Sequence, residues 1–68
     1  MEIAIVVNGE SRTTPAPATV EDLLARLGLD PRVVVVEINR RIVRRPDLAG
    51  TALREGDQVE LVHFVGGG

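Results

Sequence analysis

Apolar and polar residues alternate near both ends of this chain. Ile3, Ile5 and Val7 are interleaved with Glu2, Ala4 and Val6, and that period of two predicts a strand over 2–7. Asn8-Gly9 follows, a strong two-residue hairpin signal, so Glu10 to Thr14 is the predicted return strand. Pro15 and Pro17 end it, because proline has no N–H to give to a ladder. The period then changes. Val20, Leu23, Leu24 and Leu27 fall at i, i+3, i+4 and i+7 and form the single apolar stripe of a short helix. Thr19 and Asp22 read as a capping box at its start, with Glu21 and Asp22 where the helix dipole favours negative charge, and Gly28 supplies the residue that stops it. Asp30-Pro31 turns the chain into Val33 to Ile38, whose β-branched density predicts a strand inside the sheet. Asn39-Arg40 is a turn, Arg41 to Val43 a brief strand, and Pro46 its stop. No clean period runs from Pro46 to Gly56, although Leu48 and Leu53 are placed to plug the core. Glu55-Gly56-Asp57 is the last turn and Gln58 to Val65 the last strand.

One helix covers only one face of such a sheet. The first and last strands both carry helix-facing apolar residues, so they are expected side by side at the centre, and parallel. The fold class is α+β, a ubiquitin-like β-grasp with a mixed sheet and one main helix packed on one face. Residues 1–65 form the domain and residues 66–68 a flexible glycine tail. Strand parity directs Val59 and Leu61 toward the helix, which leaves Val62 and Phe64 on the opposite face, beside Val6 and Val35. That apolar patch is an expected partner-binding surface. The competing reading buries Phe64, the sole aromatic, in the core.

Composition narrows the chemistry. Sixty-eight residues make one small domain, with little room for an internal ligand cavity. Hydrophobic residues at 44% and charged residues at 26% fit a globular chain rather than a disordered one. The longest wholly apolar run is Val33 to Val36, far short of a membrane span, and no signal-peptide pattern precedes Ile3, so a cytoplasmic location is expected. The formal net charge of −2 and the near absence of aromatics argue against nucleic acid as a partner. There is no cysteine, hence no disulfide, thiolate metal site or thiol nucleophile, and the lone His63 falls short of a zinc ligand set. Ser11, Thr13 and Thr14 have no neighbouring base to activate a hydroxyl. The chain shows no apparatus for catalysis, and no cofactor is expected to be bound.

All eight basic residues are arginines, so no lysine side chain is present to accept an isopeptide bond. Arg40-Arg41 and Arg44-Arg45 form a local basic cluster, which is either a solvated hairpin end or a docking patch. Arg41 and Arg44, taken to lie beside the apolar patch, are the candidates for steering an acidic partner surface. The most informative feature is the end of the chain. Gly66, Gly67 and Gly68 directly follow the last strand with no turn residue between them. Glycine takes φ of either sign and passes through a channel too narrow for side chains, so this tail is suited to carry its own carboxylate into another protein's active site. A frayed terminus is the plainer alternative.

The run Val36-Glu37-Ile38-Asn39-Arg40-Arg41-Ile42-Val43, then Leu53-Arg54-Glu55-Gly56-Asp57-Gln58-Val59-Glu60-Leu61 and the closing diglycine, resembles the ThiS family, the sulfur carriers of thiamin biosynthesis. The similarity extends over the whole chain, and the order and spacing of its parts are more specific than any part alone. The resemblance implies a carrier rather than an enzyme. An E1-like adenylating enzyme would activate the Gly68 carboxylate with ATP, a persulfide sulfur donor would convert it to a thiocarboxylate, and a thiazole synthase would take the sulfur. The residues agree with this: a chain without a thiol holds transferable sulfur covalently only on a carboxyl. Gly66 departs from the family, which often has alanine there. The resemblance also leaves open the small subunit of molybdopterin synthase and a tRNA-thiolation carrier. From another class, a plain β-grasp interaction domain would have no tail chemistry.

Overall fold

The computed structural model describes residues 1–64. Six regular elements follow one another: β1 (Glu2–Val7), β2 (Glu10–Pro15), α1 (Val20–Arg26), β3 (Val34–Ile38), β4 (Arg41–Val43) and β5 (Gln58–His63). Both two-residue hairpins turn with positive φ at each central residue, Asn8 and Gly9 in the first, Asn39 and Arg40 in the second. That is the backbone whose twist matches the flanking strands. Thr19 caps α1 as its sequence predicts: its hydroxyl accepts from the Asp22 N–H at 3.1 Å, and the Asp22 carboxylate accepts from the Thr19 N–H at 2.8 Å. Gly28, at φ +71, follows the helix end.

The sheet order is β2-β1-β5-β3-β4, with β1 and β5 parallel and every other pair antiparallel. The parallel pairing of first and last strands is therefore present, with β5 in the middle. α1 packs on one face over Ile3, Ile5, Val36, Ile38 and Val59. Leu48 and Leu53, from the segment without period, are buried in the same core. Their loop is held to the helix start, where the Val20 and Glu21 N–H groups donate to the carbonyls of Thr51 (2.9 Å) and Leu48 (3.2 Å). Those are donors that an isolated helix leaves unpaired.

Three boundaries differ from the sequence expectation. Pro15 is the last residue of β2, opposite Glu2, rather than its stop. Val33 belongs to a 3-10 turn over Pro31–Val33, and β3 begins at Val34. The reason is Asp30, whose carboxylate accepts from the Arg32 N–H at 2.9 Å and winds the chain before it extends. β5 ends at His63, and Val65 lies outside the described residues. No helix among the described residues is long and apolar enough to cross a membrane.

Candidate functional site

The sheet face away from α1 has no element packed over it among the described residues, and its exposed apolar residues come from β4, β5 and the residue just past β5. Val62 is 54% exposed, Phe64 55% and Ile42 66%. Val62 stands directly opposite Val35 of β3, which is half-buried, so these two meet as the sequence reading expected. The Phe64 N–H donates to the Val33 carbonyl at 2.8 Å and carries the ladder one residue past β5. Phe64 is thus tied by its backbone with its ring outside the core. Ile42 was not singled out from the sequence, because Ile42 and Val43 are adjacent apolar residues in a three-residue strand and the period names no face. The register does: Val43 pairs with buried Val36 and Ile42 with Glu37.

The structure does not gather every candidate at this patch. Val6 is opposite Gln58, four residues before Val62 along β5, so it lies at the far end of the face rather than beside Val62. Arg41 pairs with buried Ile38 and therefore stands on the helix side of the sheet, not beside the patch. It lines a hollow of about 630 Å³ between β4 and the 50–54 segment. Arg44 is exposed one residue past β4. Gly66, Gly67 and Gly68, the candidate carrier tail, lie outside the described residues.

Several motif residues turn out to be fasteners. The buried Asp57 carboxylate accepts from the Asn39 side-chain amide at 3.0 Å and from the Arg54 N–H at 2.8 Å. Asn39 in turn accepts from the Gln58 N–H at 3.0 Å, and its own N–H donates to the Gln58 carbonyl at 2.8 Å. The Asn of the β3–β4 turn and the Asp of the last turn thus lock β5 to β3 and are fully engaged. Asp30 is also occupied: hydrogen bonds first from the Arg32 side chain and then from its backbone N–H hold the carboxyl down at about 2, against the ordinary 3.8. Among the described residues no group of three or more His, Cys, Asp or Glu side chains is arranged to hold a metal ion. His63 is exposed on β5, opposite Val34.

A model of the ThiS family matches residues 5–68. The chain is 42% identical over 50 residues to the sulfur carrier protein ThiS of Bacillus subtilis, covering 74% of this chain and 76% of that one. It is 48% identical over 64 residues to a thiazole synthase of Paramagnetospirillum magneticum and 45% identical to one of Magnetococcus marinus, covering 94% of this chain but 20% of each relative. The chain thus spans about a fifth of the length of those two proteins. Among solved structures, the crystal structure of the thiamine biosynthesis protein ThiS from Geobacter metallireducens superposes with a TM-score of 0.82 at 32% identity, covering 97% of this chain and all of that one.

Proposed function

The chain belongs to the ThiS family, and from that premise we propose that it is a sulfur carrier of thiamin biosynthesis and that the sulfur is carried on the Gly68 carboxylate. What supports the reading is a chain with no cysteine and no lysine, three glycines at 66–68, and a ThiS family match that extends through them. A carboxylate at neutral pH is resonance-stabilised and a poor electrophile, so it must be activated first. In this reading an E1-like enzyme joins a carboxylate oxygen to the α-phosphorus of ATP and releases pyrophosphate. The terminal sulfur of a persulfide then displaces AMP from the carbonyl carbon, and a thiol reduces the resulting acyl disulfide to the thiocarboxylate. Thiazole synthase is the acceptor. Two relatives that carry the name thiazole synthase match nearly all of this chain with a fifth of their own length, which favours a working association between the two activities.

The folded body serves as the grip. An open sheet face with Val35, Ile42, Val62 and Phe64 gives the adenylating enzyme an apolar surface beside the point where the tail leaves the domain. Arg44, exposed one residue past β4, supplies a positive charge for an acidic partner surface. The carrier acts in the cytoplasm, where ATP is available, as a co-substrate rather than a catalyst. Intact mass after incubation with ATP, the adenylating enzyme and a persulfide source tests the reading. A gain equal to one oxygen replaced by sulfur, located at Gly68 by fragmentation, is expected; an unmodified chain after turnover of ATP would overturn it.

A further inference from the structure

The open face carries two carboxylates that sulfur carriage does not use. Glu37 of β3 stands directly opposite Glu60 of β5, and Ile42 of β4 is opposite Glu37 on its other side. Directly opposed residues of an antiparallel pair share a face, with Cβ atoms about 5 Å apart. Two negative charges therefore sit side by side near the middle of a five-stranded sheet. The ion pairs among the described residues are Arg12 with Glu10 and Arg32 with Asp30, so neither Glu37 nor Glu60 forms an ion pair with a described residue. Arg40 shares a hollow with Glu60 at the turn end of the face without reaching it as an ion pair. Like charges directly opposed destabilise a free sheet. The arrangement becomes favourable only when a positive charge is brought against it.

The surroundings indicate what brings that charge. Val35 and Val62 form the next row toward the tail, Ile42 flanks Glu37, and Phe64 lies beyond Val62. A small hydrated cation has no use for such a border, whereas a protein surface packs on it and excludes water, which strengthens every charge interaction inside. We propose that the open face seats one arginine of its protein partner between Glu37 and Glu60, with Val35, Ile42 and Val62 as the dry surround. A guanidinium is the matching group, because its planar fork donates to two carboxylates at once where an ammonium acts as a point charge. The inference rests on the open face being the docking surface for the adenylating enzyme, and it specifies that enzyme's contact: an apolar patch with a cation at its centre.

Calorimetric titration of the full chain against its adenylating enzyme tests this, using Glu37→Gln, Glu60→Gln, the double variant, and Val62→Ala as a probe of the face alone. Each Gln variant should bind about tenfold more weakly, and the double variant more weakly still, with the deficit shrinking as salt rises. The free Gln variants should melt at the same temperature as the native chain or higher, because a repulsion has been removed. If Val62→Ala weakens binding while the double Gln variant binds like the native chain, the arginine seat is wrong and the docking face stands. Unchanged binding in all four variants would remove both. Gln variants that melt lower and bind more weakly would mark a folding role for the pair and would likewise overturn the proposal.

Discussion

The side chain of Asn8 is paired with the backbone of Leu61 as though it were one more peptide unit of β1. The Leu61 N–H donates to Asn8 Oδ1 at 2.8 Å, and Asn8 Nδ2 donates to the Leu61 carbonyl at 3.2 Å. The main chain cannot make these bonds itself, because at Asn8 it enters the left-handed region, φ +49, and turns away into the hairpin. One residue thus sets the turn and lengthens the parallel β1–β5 ladder by a rung. Asn8→Gly keeps the turn conformation and deletes the rung. It should lower stability by about 1 kcal/mol in urea titration and speed hydrogen exchange at the Leu61 amide. An unchanged midpoint with unchanged exchange would show that solvent replaces the pair at no cost.

Asp57 and Asn39 should matter for folding rather than for carriage. Asp57→Ala leaves the Arg54 N–H and the Asn39 amide without their acceptor at a largely buried position, and about 2 kcal/mol of stability should be lost. The folded fraction should still accept sulfur at Gly68 at the native rate. A carrier defect at full stability would mean that this network contacts a partner.

Asp30 gives a pH signature. Its folded value of about 2 lies below the ordinary 3.8, so its contribution is fully present above pH 3.8 and is lost as pH falls through about 2. Carbon-detected NMR titration should report the low value, and Arg32→Ala should raise it toward the ordinary carboxylate range, only part of the way because the backbone N–H of residue 32 still donates to the carboxylate. The stabilities of native and Arg32→Ala chains should converge toward pH 2. Parallel profiles over that span would assign the difference to something other than this pair.

Phe64 is exposed, so removing its ring should leave the melting temperature nearly unchanged. If the open face docks the adenylating enzyme, Phe64→Ala should weaken that binding by about 2 kcal/mol, in the manner of a hot-spot truncation. A lower melting temperature with native affinity would place the ring's contribution in the fold instead.

The length of the tail is the sharpest probe of the carrier terminus. One alanine added after Gly68 moves the carboxylate by up to about 3.6 Å, while attack needs reacting atoms held at about 3 to 3.5 Å. Adenylation should collapse. Deleting Gly68 leaves Gly66-Gly67, a diglycine of the right chemistry but one residue short, and should impair adenylation severely with binding through the sheet face intact. Native turnover in both variants would end the proposal that the Gly68 carboxylate must be delivered at a fixed reach.

What was legible in the sequence is what is decided within a few residues. Alternation in Glu2–Val7, the Asn8-Gly9 turn, the Thr19–Asp22 cap, the leucine stripe and Gly28 each depend on backbone geometry over one turn or one pleat, so residue types reveal them directly. Parity within β5 likewise put Val62 and Phe64 on the open side. Neighbours across strands are another matter. Glu37 faces Glu60, Asn39 reaches Asp57, and Asn8 completes the ladder at Leu61 only because burying Ile5, Val36, Val59 and the helix stripe together fixes which strands pair and in what register. Arg41 and Val6 were misplaced for the same reason. Val6 has a clear parity on β1 and Arg41 none on its three-residue strand, but in both cases the neighbouring residue is chosen by packing between segments far apart in the chain, and only the folded sheet makes that choice.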